Sequence, residues 1–170
     1  MTTEQKNIIT DFYFSKISKA EFLKKYPIDF GNNKMHIYDS VKEAYDNKNA
    51  NELDLAFTLI IFDTTIIDSD EFVELLCLLL PERWHPQHEN IVTMLQNIKS
   101  PKSIDALYDT ALTVFDSVVY METYALARKC IHALGDINTE ESKNKLKLLA
   151  QSNIPVIKEK AKKQLCYYKR

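Results

Sequence analysis

Glycine is scarce in this chain: its 170 residues include only two glycines, Gly31 and Gly135. A glycine-rich loop that cradles phosphate groups needs several glycines close together, so that class of nucleotide site is excluded. Folds built from many tight β-turns also depend on glycine. The composition therefore argues against a turn-rich β fold.

Long hydrophobic runs and paired cysteines are also missing. The longest apolar run, residues 75–80, is far too short to cross a bilayer, and the first residues (Met-Thr-Thr-Glu-Gln-Lys) form no apolar secretory segment. The three cysteines, Cys77, Cys130 and Cys166, contain no Cys-x-x-Cys pair. Widely spaced free thiols are typical of a reducing compartment. We therefore expect a cytoplasmic protein that has no membrane partner.

What the chain does contain is an apolar pattern that returns every 31 to 39 residues. A shift of 39 residues places Leu95, Ile98, Ser100, Leu107 and Ala111 on Leu134, Ile137, Thr139, Leu146 and Ala150. Recurrence at such a period is the signature of stacked helix pairs. The sequence predicts an all-α fold, an α-solenoid in one domain. Residues 1–50 would form a non-repeat helical N-terminal cap, and residues 51–168 the repeats.

Local signals mark several helix ends. Ser18 and Glu21 have the spacing of a capping box, in which each side chain satisfies the other's backbone N–H. Gly135 is predicted to end a helix in the left-handed conformation. Asn138 and Glu141 are predicted to cap the helix that follows.

Charge is unevenly distributed along the chain. Residues 51–100 hold 2 basic and 9 acidic side chains, whereas residues 151–170 hold 6 basic and 1 acidic. An acidic region repels nucleic acid and attracts a basic partner, although such residues can also be plain solvated helix faces. The lysine-rich end is interpreted as complementing a helix dipole and as a polar end of the array. Phosphate binding by these lysines, with tyrosine stacking, is the alternative.

Two segments carry a family resemblance. Residues 84–92 (Trp-His-Pro-Gln-His-Glu-Asn-Ile-Val) and residues 124–135 (Tyr-Ala-Leu-Ala-Arg-Lys-Cys-Ile-His-Ala-Leu-Gly) resemble bacterial HEAT-repeat proteins. The resemblance covers about residues 50–168 and implies HEAT-like helix pairs, an α–α superhelix. It is specific for architecture and says little about function.

A subset of small bacterial HEAT proteins resembles immunity proteins of polymorphic or contact-dependent toxin systems, and residues 17–23 fit that group. The resemblance implies a protein that binds one cognate toxin domain, often a nuclease, and occludes its active site. It implies no catalytic residue and no cofactor. The partner would be a basic protein rather than nucleic acid, and the oligomeric state is left open.

Two other functions were weighed. HEAT-like repeats also build a class of bacterial alkylpurine DNA glycosylases, but those present a strongly basic concave surface, whereas the central repeats here are acidic. A general assembly scaffold, including a relative of the phycobilisome lyases, is the other alternative. We expect that the protein is not an enzyme.

His85, His88 and Glu89 form the sharpest cluster of potential ligands. Two imidazoles and a carboxylate can hold zinc. However, the spacing is not His-Glu-x-x-His, and Pro86 suggests that His85 lies just before a helix. The alternative is a plain helix start with Trp84 packed as a lid. We predict no metal site, but the sequence leaves the point open.

The carboxylates Asp63, Asp68 and Asp70 could serve hydrolytic chemistry only if buried and opposed across a cleft, and capping of a helix start is the favoured interpretation. Partner binding is predicted instead for an acidic edge and the aromatic break beside it. The predicted partner-binding residues are Asp63, Asp68, Asp70, Glu71, Glu74, Trp84, His85, His88, Glu89, Tyr108, Tyr120 and Glu122.

Overall fold

A computed structural model describes residues 1–31, 33, 35–62, 69–113 and 124–167. The described chain is all-α and contains no strand. Its helices are α1 (Thr3–Tyr13), α2 (Lys19–Lys25), α3 (His36–Asp46), α4 (Ala50–Leu59), α5 (Asp70–Leu79), α6 (His88–Ile98), a 3-10 turn (Pro101–Ser103), α7 (Ile104–Leu112), α8 (Ala125–Ile137), α9 (Glu140–Leu149) and α10 (Pro155–Tyr167). Among the described residues, no helix is long and apolar enough to cross a bilayer.

The chain divides into two compact units, residues 1–72 and residues 73–170. The division falls inside α5, and α4 packs against α1 and α3 within the first unit. The single domain with a cap to residue 50 and repeats over residues 51–168 stays a prediction.

The first unit is built on apolar stripes at helical spacing. Ile37 and Val41 of α3 and Leu53 of α4 are fully or almost fully buried, as the period of 3.6 residues requires for packed faces. Around Phe62 lies an aromatic cluster in which the rings of Phe22 and Phe62 stack with centroids 4.1 Å apart. The capping box predicted for α2 is confirmed: Ser18 Oγ accepts from the Glu21 N–H, and the Ser18 N–H donates to Glu21 Oε2 at 2.8 Å.

The second unit is organised around α8, which packs against α6, α7, α9 and α10. The leucines that the 39-residue shift superposes, Leu95 with Leu134 and Leu107 with Leu146, all have no exposed surface. These four leucines therefore belong to the core of the second unit.

Equivalent turns follow α6 and α8. Each helix ends in a residue in the left-handed conformation, Lys99 (φ 57°) and Asn138 (φ 56°). The next residue is extended and caps the following helix: the Ser100 hydroxyl accepts from the Lys102 N–H, and the Thr139 hydroxyl accepts from the Ser142 N–H. The alignment of Ser100 with Thr139 thus paired residues of the same local structure.

Two predictions about α8 and α9 were wrong. Gly135 does not cap α8, because the helix continues to Ile137 and the left-handed position belongs to Asn138. The capping pair of α9 is Thr139 with Ser142, rather than Asn138 with Glu141. Both errors have one cause: asparagine tolerates the left-handed conformation, so the turn needed no glycine.

Candidate partner-binding surface

The outer side of α5 is acidic. Asp70 and Glu71 occupy the first turn of the helix, where carboxylates complement the positive end of the dipole, and Glu74 follows one turn later. All three are exposed. The Ser69 hydroxyl accepts from the Phe72 N–H at 3.2 Å and so helps to begin the helix. The other predicted contact residues Asp63, Asp68, Tyr120 and Glu122 lie outside the described residues.

Two of the predicted acidic contacts are already engaged with lysines of the second unit. Glu74 accepts from Lys102 Nζ at 2.7 Å, and Glu89 lies 2.8 Å from Lys129 Nζ. Ion pairs this exposed add little stability, but they lower the negative charge offered to a partner.

His85 and His88 are buried, with 4% and 3% of their surfaces exposed. His85 Nε2 lies 3.0 Å from the Leu79 carbonyl, and His85 Nδ1 accepts from the Gln87 N–H at 3.1 Å. This pattern assigns the proton of a neutral His85 to Nε2. The two imidazoles stack with centroids 4.6 Å apart. Through these backbone contacts the buried imidazoles hold the connection between α5 and α6 in place. A partner could contact either imidazole only if this connection opened.

The same contacts bear on metal chemistry. Both ring nitrogens of His85 are engaged by the backbone, and His88 Nε2 lies 2.7 Å from the Glu82 carbonyl. Burial lowers the pKa of His88, with the Glu82 carbonyl opposing the shift. No group of three or more histidine, cysteine or acidic side chains among the described residues is placed to hold a metal ion. In the described structure, both histidines use Nε2 to contact a backbone carbonyl.

Trp84 packs edge-on against His85, with ring centroids 4.8 Å apart and an interplanar angle of 83°. Its side chain is partly buried, and the indole Nε1 donates to no acceptor among the residues that the structure describes. The lid role predicted for Trp84 agrees with this packing. Its exposed edge leaves the predicted role in partner binding open.

Tyr108 on α7 is screened by a cation of its own chain. Lys145 Nζ lies 4.6 Å from the centre of the Tyr108 ring and 2.6 Å from Asp105 Oδ1. A partner reaching the face of this ring would have to displace Lys145. In this structure Tyr108 therefore takes part in an internal contact between α7 and α9.

Leu78 was missed by the sequence analysis. It lies one turn after Glu74 on α5 and has 52% of its surface exposed. The run Leu-Leu-Cys-Leu-Leu-Leu at residues 75–80 suggests a fully buried segment, so its composition hides one exposed position. The helical spacing of Glu74 and Leu78 was the available signal.

Comparison of the chain with protein-family models, with curated proteins and with solved structures finds no match.

Proposed function

We propose that this protein is a HEAT-like helical-repeat module that binds a basic protein partner, most specifically an immunity protein that neutralises a toxin domain. In this proposal it works in the bacterial cytoplasm, without a cofactor and without catalysis of its own. It blocks the toxin by covering the active site.

The proposed solenoid stacking is supported by polar contacts at one constant spacing. Glu89 pairs with Lys129, Gln96 Nε2 donates to Asp136, and Asp105 pairs with Lys145. Each contact joins residues 40 positions apart. In a stack of equivalent helix pairs, corresponding positions of successive repeats are neighbours, so contacts between repeats recur at about the repeat length. The spacing of 40 is one residue longer than the 39-residue shift that superposes the core leucines.

The proposed binding role rests on the exposed side of α5. Asp70 and Glu71 supply negative charge, and the exposed Leu78 supplies an apolar contact along the same helix. Protein interfaces combine an apolar centre with complementary charge around it, and the charge mainly speeds association. A basic partner with an apolar patch fits this combination.

The test pairs this chain with the product of the neighbouring upstream gene where that gene encodes a basic toxin domain. Co-expression should restore growth, and the two purified proteins should form a complex. Asp70→Lys with Glu71→Lys should slow association by about tenfold or more at low salt, an effect that shrinks as salt screens the charges.

Glu140→Lys with Glu141→Lys is the matched control, since these acids also occupy the first turn of a helix, α9. Both variants lose the same dipole interaction and gain the same charge. Equal association rates for the two variants would reject the α5 surface. Absence of any complex, with unchanged toxin killing, would reject the immunity function.

A further inference from the structure

The lysines of α10 do not complement the dipole of their own helix. Lys158, Lys160, Lys162 and Lys163 lie in the middle of α10, which continues to Tyr167, and the last turn of the helix contains no basic residue. The dipole acts on charges within the terminal turn. For these four lysines the dipole interpretation therefore loses its physical basis, whereas the polar end of the array stays a prediction. Lys169 and Arg170 of the same lysine-rich end lie outside the described residues.

These lysines also differ from four other lysines of the second unit. Lys102, Lys129, Lys143 and Lys145 each pair with a carboxylate. Within the part of the chain that the structure describes, the four α10 lysines and Arg128 of α8 form no ion pair and no side-chain hydrogen bond. Positive charge without an internal counter-ion is thus concentrated on α10 and the adjoining part of α8.

Part of this charge forms one face with an aromatic ring. Lys160, Lys163 and Tyr167 follow the i, i+3, i+7 spacing of a single helix side, and 59% of Tyr167 is exposed. This side borders α8, because α10 packs against α8. Consistent with that packing, Lys160 and Lys163 lower the pKa of His132, after the larger effect of burial. Arg128 lies one turn before His132. We name Arg128, His132, Lys160, Lys163 and Tyr167 the α8–α10 face.

The helices α8 and α10 each carry one acidic residue, and these acids reduce the positive charge of the two helices. Asp136, one turn after His132, accepts from Gln96 Nε2 at 2.6 Å and favours the charged form of His132. Glu159 lies on α10 between Lys158 and Lys160 and is exposed. The three cations of the face outnumber these two anions, so the face remains positive.

The composition of the face favours a phosphate backbone over a protein surface. Ile157 and Ala161 of α10 are buried, so the face offers cations and one tyrosine but no aliphatic anchor. A protein interface needs an apolar centre. Grooves for single-stranded nucleic acid combine cations for phosphates with aromatic rings on which bases stack.

We propose that the α8–α10 face binds single-stranded nucleic acid, with Arg128, Lys160 and Lys163 on phosphates and Tyr167 stacked on a base. This departs from the expectation of no nucleic-acid partner, which rested on the acidic residues 51–100 and on the dipole interpretation of the lysines. It is independent of the protein-binding role of α5.

The test measures fluorescence anisotropy of labelled oligo(dT) and oligo(U) strands of roughly 15 nucleotides with the full chain, from about 20 to 200 mM salt. If three phosphates are contacted, a plot of the logarithm of the association constant against the logarithm of the salt concentration should have a slope of about −2. Arg128→Gln with Lys160→Gln and Lys163→Gln should weaken binding at least tenfold and flatten this slope. Tyr167→Ala should weaken binding about fivefold or more and leave the slope unchanged.

Lys16→Gln with Lys24→Gln and Lys25→Gln removes the same charge from exposed positions of the first unit and should leave binding unchanged. Circular dichroism and melting temperature check that each variant folds. Absence of saturable binding at the lowest salt, or equal weakening by both triple variants, would overturn the proposal. Competition by polyglutamate as effective as by unlabelled oligo(dT) would also overturn it, since the face would then recognise acidic protein.

Discussion

Gly135 has a role that local sequence could not reveal. A Cβ at this position would stand within 2.6 Å of Gln164 Cγ, because buried Gln164 of α10 lies directly over the α8 backbone. The glycine therefore lets two helices approach closely. The small residues of Ala-Leu-Gly at positions 133–135 permit such packing, but the identity of the opposing residue comes from tertiary structure alone.

Gly135→Ala should destabilise the protein although alanine is the better helix former. Overpacking costs about 1–3 kcal/mol, against roughly 1 kcal/mol gained from helix propensity. Urea denaturation would measure the difference, and Gln164→Ala in the same chain should restore the loss by removing the clash. A more stable single variant would show that Gln164 moves aside freely.

At the scale of the element, the turns between helices are repeated units. Lys99–Ser100 and Asn138–Thr139 have the same sequence of conformations, and Lys48–Asn49 between α3 and α4 repeats it with φ 48° at Lys48. A left-handed residue redirects the chain, and the capping side chain then begins the next helix. The sequence aligned Ser100 with Thr139 but assigned the cap of α9 to Asn138, one residue too early, because an asparagine can serve either as a cap or as the left-handed residue. The left-handed position stayed hidden because lysine gives no signal for it.

Lys99→Gly should stabilise the protein by about 0.5–1 kcal/mol, since glycine carries no left-handed penalty and that gain exceeds its entropy cost. Asn138→Gly should change stability less, because asparagine already tolerates this conformation. Unfolding free energies from urea titration of the two variants give the comparison. An Asn138→Gly gain equal to or larger than that of Lys99→Gly would contradict this account of the turns.

At the scale of the whole molecule, neutral histidines occur in both compact units. The pKa of His36 in the first unit is lowered mainly by burial, opposed by Asp39, and its Nε2 lies 2.8 Å from the Tyr26 hydroxyl. The pKa values of His88 and His132 in the second unit are also lowered, in each case mainly by burial. Folding therefore disfavours the protonated form of all three.

Because these pKa values lie below the unfolded value near 6.5, the histidines contribute their full stability above that pH. Their contribution is lost as the pH falls below 6.5 towards the folded pKa values. The free energy of unfolding should thus decrease between about pH 7 and pH 5, before most carboxylates titrate. Urea titrations across this range measure it, with His88→Gln expected to reduce the slope because an amide can still donate to the Glu82 carbonyl. If the free energy of unfolding stays constant or increases towards pH 5, the three histidines do not have lowered pKa values in the folded protein.

The sequence by itself determined the all-α class, the core leucines and the capping box of α2, because buried stripes and caps are written in local spacing. It also placed Asp70 and Glu71 in an acidic stretch, since charge is visible in composition, and their role in partner binding stays a prediction. Only the tertiary structure decided which acids are engaged by lysines, why His85 and His88 face inward, and which lysines lack a counter-ion. Those properties depend on residues distant in the chain, such as Lys129 for Glu89 and Gln164 for Gly135, and local spacing carries no information about which distant side chain will be a neighbour.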